Sequence, residues 1–370
     1  MSRAAHFGIR IPEDVLARRE KRPHLTMAFL RPSGPHRVGS ITHELVDADR
    51  PSNLKSDTAG RRLLVKAWYP ADPTATAEKE LLWEQLRQDA QTPAPVRLLL
   101  GCLRKTTSSH RNAPFDSGAP ASRVVVYNHG LISFASENTS LMEELASHGQ
   151  TVISIQHAEQ LLELRALSGA QSPEKKTADA KLGQRLRNAP RSERAKLALE
   201  YYRASTNTNR IVVERSIDAS FVLDHLEDVL AQVPGLQTRS IEGPSADLVG
   251  FSVGGAVSTE TAKRDSRACS VINLDGGMHG TLDATELRVP YLMMYSSAND
   301  GVNDQLLPSS VMRLAPADTT HLNYHDIAQL LPVLRYVRLT GRTDAKAFLA
   351  YRNQVVREFQ SRQAQPAKDW

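Results

Sequence analysis

ADLVGFSVGGAVSTETAKR occupies residues 246–264. An apolar run ends at Phe251, a single serine follows, and a helical stretch starts at Val253. Gly250 and Gly254 flank Ser252, and Gly255 comes directly after. A turn needed only for chain reversal could use Asn, Asp or Pro. A serine in G-x-S-x-G, after a strand and before a helix, is the pattern of a nucleophile elbow. Glycine serves where a Cβ would strike neighbouring backbone. The turn lifts the hydroxyl above the sheet, and the helix N-terminus points at developing negative charge.

The flanking sequence gives the elbow a sheet to stand on. Upstream, SRVVVYNHG (122–130) is a short apolar run ending in a glycine turn, and QTVISIQ (150–156) is another. Between them, ENTSLMEELASHG has helical spacing, with Leu141, Leu145 and Ala146 on one side and Gly149 as a stop. Residues 211–235 read as one amphipathic helix with a stripe of Val213, Ile217, Phe221, Leu226, Val229 and Leu230, ended by Pro234-Gly235. Downstream, ACSVINLD (268–275), YLMMYSS (291–297) and SSVMRLA (309–315) read as strands. HRVGSITHELVD (36–47) and RRLLVKAWYPA (61–71) do as well, while AEKELLWEQLRQ (77–88) reads as helical.

Short apolar strands alternating with helices imply a mostly parallel sheet covered on both faces. The expected fold class is α/β, an α/β-hydrolase fold with a helical insertion or cap. Residues 1–35 form an N-terminal extension, 36–345 the hydrolase domain with its insertion at 158–210, and 346–370 a C-terminal helix or tail. Ligands in such sheets bind beyond the carboxyl ends of the strands.

Composition sets outer bounds. The 370 residues are 41% hydrophobic and 24% charged, which suits a globular protein. Net charge is +5, yet residues 165–215 carry twelve Lys/Arg against five Asp/Glu, or +7, leaving about −2 elsewhere. No nucleic-acid partner is expected from this. Cys102 and Cys269 make neither a disulfide framework nor a metal-ligand spacing. The N-terminus lacks an apolar signal core, and no apolar run approaches the ~18 residues of a membrane span. A cytoplasmic location is the expectation.

An activated serine needs a base, and the base needs an orienting acid, in the chain order Ser, acid, His. His321 and His325 lie in PADTTHLNYHDIAQLL. His321 follows the last strand and precedes a helix beginning near Tyr324, the place for the base. His325 falls inside that helix, exposed or behind the site. Their spacing of four has no third ligand, so no metal or other cofactor is expected. Asp275 and Asp300 compete for the acid, each after a strand, with Asp304 deeper in its loop. The oxyanion hole needs two backbone N–H groups. Val253 and Leu131 supply them, with Gly130 allowing close approach and His129 shaping the loop.

The chain resembles the platelet-activating-factor acetylhydrolases and their bacterial relatives over about residues 36–335. LVDADRPSNL and RRLLVKAWYPA are similar to the opening β-hairpin of that family, and LASHGQTVISIQHAE to its helix-to-strand segment. The elbow matches from Gly250 to Gly255, NLDGGM matches the acid segment, and His321-Leu322-Asn323-Tyr324 matches the H-x-N-[FY] loop. The resemblance implies a Ser252–Asp275–His321 triad, the acid 275 − 252 = 23 residues past the serine. It implies oxyanion donors at Leu131 and Val253, and hydrolysis of a small-molecule ester or lipid. Phe251 departs from the family, where a His is common, and the basic insertion has no recognised counterpart. An acyltransferase or thioesterase on the same fold is the alternative, and a non-catalytic scaffold the more distant one.

Overall fold

A computed structural model of the chain describes residues 29–51, 60–84, 86, 105–157, 173–236, 241–282 and 287–363. Residues 1–28 of the extension, Cys102, the insertion's first part at 158–172, and 364–370 lie outside the described residues.

The strands are β1 (Arg37–Asp47), β2 (Arg61–Ala71), β3 (Lys79–Leu81), β4 (Thr106–Arg111), β5 (Ser122–Asn128), β6 (Thr151–Gln156), β7 (Ile241–Phe251), β8 (Ala268–Leu274), β9 (Tyr291–Met294) and β10 (Met312–Leu314). They form one sheet in the order β10-β9-β8-β7-β5-β6-β2-β1-β4-β3. The run from β10 to β6 is parallel. β2 joins it antiparallel and β1 pairs antiparallel with β2. This is the mostly parallel α/β-hydrolase sheet. The helices are α1 (Thr139–Ser147), α2 (Pro173–Asn188), α3 (Arg191–Ala204), α4 (Thr206–Asp224), α5 (Leu226–Ala231), α6 (Val253–Arg264), α7 (Ile327–Leu330) and α8 (Ala345–Gln363).

Side chains alternate across a strand, so each central strand feeds two cores. On one face Val124, Val126, Leu248 and Val271 pack with Ala219 and Val222 of α4 and Val229 of α5. On the other, Val125, Val249 and Ile272 pack with Leu141 and Leu145 of α1 and Phe348, Val355 and Phe359 of α8. Register fixes where the loops emerge: Asn128 pairs with Gly250, and Gly250 with Asn273. The turns after β5, β7 and β8 therefore leave the sheet side by side. α8 also reaches toward them. Buried Arg352 donates to Asn138 Oδ1 (2.8 Å), Ser140 Oγ (3.1 Å) and the carbonyl of Tyr324.

Several elements differ from expectation. Lys79–Leu81 is a strand, not part of a helix, and it pairs with β4. The helix expected over 211–235 is two helices, α4 and α5, broken at His225. Its expected stripe holds on α5, where Leu226, Val229 and Leu230 are buried, and is misphased on α4. Ile217 is 41% exposed, while Arg215, Asp218, Ala219 and Val222 are buried. Two charges occupy core-facing positions, and hydrophobic periodicity cannot register them. Asp218 is satisfied there by Arg61 Nε (2.6 Å) and by His157 Nδ1 (3.0 Å). The helix expected near Tyr324 is a 3₁₀ turn, His321–Tyr324, followed by the single turn α7.

Candidate active site

Ser252 sits between β7 and α6 at φ 57° and ψ −125°, a strained conformation for a residue with a side chain. Crowding explains its glycines. A Cβ on Gly250 would stand 2.0 Å from the Gly254 carbonyl oxygen, and one on Gly254 would stand 1.9 Å from that of Asn128. No side chain fits at either position, so the turn can be this tight only with glycine.

The hydroxyl meets an imidazole. Ser252 Oγ lies 2.9 Å from His321 Nε2, and His321 Nδ1 lies 2.8 Å from Asp275 Oδ2. With the Nδ1 proton donated to the carboxylate, Nε2 is free to accept from the serine. Asp275 is buried, and it accepts from the Ser296 backbone N–H at 2.5 Å and from Asn299 Nδ2 at 2.9 Å. Those bonds fix both oxygens. The Phe251 ring stacks on His321 with centroids 4.7 Å apart and planes 25° apart. Phe251 thus forms a flat shelf under the imidazole.

The other acid candidates face elsewhere. Asp300 Oδ2 accepts from Arg191 Nε at 2.7 Å, and Asp304 Oδ1 from Arg313 Nε at 3.2 Å. His325 is buried, not exposed, and lies between the 3₁₀ turn and α7 rather than inside a helix. Burial lowers its pKa to about 3, and Nδ1 accepts the Ile327 N–H at 2.9 Å, so the ring is neutral. Its Nε2 faces Glu137 Oε2 at 3.8 Å. Both ring nitrogens of His321 are already engaged, so the two histidines are not arranged as a metal pair.

The loop after β5 closes the opposite side of the serine. A Cβ on Gly130 would lie 3.4 Å from Ser252 Cβ, so this backbone passes next to the serine. The Leu131 side chain packs against Val253, Val212 and Ala256. Val253 opens α6, where the first four N–H groups have no partner within the helix. Ile132 follows at φ 55°, rare for a β-branched residue.

α3 reaches the same end of the sheet. Tyr202 of α3 donates to Asn303 Oδ1 at 2.6 Å, and Asn303 Nδ2 donates to the Gly276 carbonyl at 2.9 Å, one residue past Asp275. The Tyr202 and His279 rings meet edge-on at 4.7 Å. A cavity of about 360 Å³ opens beside Tyr201, bordered by Asp179, Arg187 and Asn207.

Sequence reasoning missed the groups behind the loop. Glu137, Arg215 and Tyr127 are all buried around His129 and Gly130. No motif marks them, since each lies on an element that reads as ordinary helix, strand or turn.

Fold and geometry together define an α/β-hydrolase with a serine, a histidine and a carboxylate in hydrogen-bonded series at the carboxyl ends of its strands. The chain belongs to the family of platelet-activating factor acetylhydrolase, isoform II, whose model matches residues 25–364. That family places it among ester hydrolases. Among solved structures it is similar to the ferulic acid esterase from Streptomyces cinnamoneus, with a TM-score of 0.66 and 20% identity over 91% of this chain and 93% of that one. No helix among the described residues is long and apolar enough to cross a membrane.

Proposed function

We propose that the chain is a serine carboxylic-ester hydrolase working through an acyl-enzyme. His321 takes the Ser252 proton as Oγ attacks the ester carbonyl. The amides of Leu131 and Val253 receive the oxyanion, each worth about 3–4 kcal/mol of transition-state stabilisation. His321 then protonates the leaving alcohol, and a water repeats the sequence to release the acid. Asp275 holds the imidazole in its reactive tautomer and stabilises the imidazolium. The observation that carries this reading is the unbroken series Ser252 Oγ, His321 Nε2, His321 Nδ1, Asp275 Oδ2. No step calls on a cofactor, and a cytoplasmic site of action fits the sparse cysteines.

Family membership makes short acyl esters of phospholipids the first substrates to try, and the structural neighbour adds esters of aromatic acids. The test is labelling by an alkyl fluorophosphonate together with turnover of a p-nitrophenyl ester chain-length series. Labelling at Ser252, and loss of both signals in Ser252→Ala, is expected. Near-parental turnover by the alanine variant would sink the proposal.

A further inference from the structure

We propose that Glu137 and Arg215 are positioning residues that hold and polarise the loop presenting the Leu131 N–H to the substrate oxyanion. This rests on the serine-esterase reading above and extends it to two residues that never touch substrate.

The geometry concerns two consecutive peptide units. In the first, the His129 carbonyl accepts from Arg215 Nη1 at 3.0 Å, and the Gly130 N–H donates to Glu137 Oε1 at 2.9 Å. That peptide is gripped at both ends, by a guanidinium at its carbonyl and a carboxyl group at its N–H. In the second, the Gly130 carbonyl accepts from His129 Nδ1 at 2.7 Å and stands 3.4 Å from Arg215 Nη1. The far end of this second unit is the Leu131 N–H. Donors on a peptide carbonyl draw electron density toward its oxygen and make the N–H of the same unit a stronger donor.

The grip is itself braced. Tyr127 donates its hydroxyl to Glu137 Oε1 at 2.7 Å. Glu137, His129 and Tyr127 are 0% exposed and Arg215 is 1% exposed. Burial keeps His129 neutral by pushing its pKa well down, and with Nδ1 facing a carbonyl its proton sits there. Burial also lowers Arg215 to about 10, which leaves it charged at neutral pH. Taking an arginine and a carboxyl group out of water is costly. A loop that needed only to turn would manage with neutral groups. An oxyanion donor must instead be fixed to within about half an ångström before the reaction starts.

The test compares Glu137→Gln, Arg215→Lys and Arg215→Met with the parent enzyme. For each, kcat and KM are measured on one p-nitrophenyl ester, with Ki for an alkyl trifluoromethyl ketone of equal chain length. That ketone forms a hemiketal oxyanion on Ser252 and reports binding to the oxyanion hole. Arg215→Met should lower kcat by about 10–100-fold with KM unchanged. Ki should rise by the same factor, with Arg215→Lys and Glu137→Gln in between. A Ki that stays at the parental value, or a rise in KM alone, overturns the proposal. If Arg215→Met fails to fold, the two near-isosteric variants decide on the same criterion. A parent enzyme that forms no adduct with the ketone removes the esterase reading and this proposal together. A normal parental adduct with unchanged Ki in the variants removes this proposal alone.

Discussion

Phe251 and His321 stack face to face, 4.7 Å between centroids and 25° between planes. Phe251 immediately precedes Ser252, so the turn that positions the hydroxyl also supplies a floor for the imidazole beside it. A buried ring there limits the imidazole to sliding or rotating in its own plane, where Asp275 stops it. Phe251→Leu keeps an apolar side chain but removes the flat surface. Its kcat should fall by about tenfold at unchanged KM, because a misplaced base costs more than its lost contacts. A variant with parental kcat would show that Asp275 orients the ring unaided.

The acid assignment is testable by two single changes. Asp275→Asn should lower kcat by about 10³–10⁴, through loss of the correct imidazole tautomer. Asp300→Asn, whose parent carboxylate pairs with Arg191 on the surface, should change kcat less than about threefold. The reverse ranking would move the role to Asp300.

Stability should pass through a maximum close to pH 6.5. Burial lowers His157 and His279 to about 4 and His325 to about 3, so below 6.5 the unfolded chain binds three protons that the folded chain does not, and acid destabilises. Burial raises Glu137 and Glu143 to about 7. Their folded forms hold protons that the unfolded forms release above about 4.5, so their contribution is lost progressively from 4.5 to 7; below 6.5 the three histidines outweigh it, and above 6.5 it acts alone. The Asp218 carboxyl, held low by His157 and Arg61 despite its burial, adds to the acid-side loss. Guanidinium midpoints at pH 4.5, 6.5 and 8 check the shape. Glu143→Gln should flatten the alkaline side, and an unchanged alkaline decline would contradict the assignment.

The basic insertion makes a separate prediction about substrate charge. Lys181, Arg185 and Arg187 of α2 are exposed, and Arg187 borders the cavity beside Tyr201. Changing all three to Glu should raise KM for an anionic ester severalfold while leaving a neutral ester of equal length unchanged. The difference should shrink in high salt, since such attraction fades beyond ~8 Å at physiological ionic strength. Equal effects on both esters would reduce the insertion's charge to a solvated surface.

The central strands and the elbow were legible because burial on both faces makes strands uniformly apolar, and because crowding at Gly250 and Gly254 admits no other residue. β4 was not legible. TTSSHR is polar, yet Thr107, Ser109 and His110 are buried, and Ser109 donates to the buried Glu143 at 2.6 Å. The stripe of α4 was misphased for the same reason, with Arg215 and Asp218 facing inward. Asp275 and Asp300 have equivalent places in the sequence, each just after a strand. Only the family resemblance separated them there; in space His321 Nδ1 lies 2.8 Å from Asp275, while Asp300 pairs with Arg191. The grip on Gly130 left no trace, because partners 7 and 85 residues away share no spacing rule.

Arg352 bears on how the protein is made. Its guanidinium ties the segment before α1 to the turn that carries His321, and it sits on α8, which follows both in chain order. A ribosome exposes the elbow strand, the acid strand and the His321 turn before it releases α8. Nascent chains stalled before residue 345 would therefore carry Ser252, Asp275 and His321 yet lack the bolt that joins two of their supports. On the proposed esterase reading, chains lacking α8 should turn over esters far more slowly than chains that carry it.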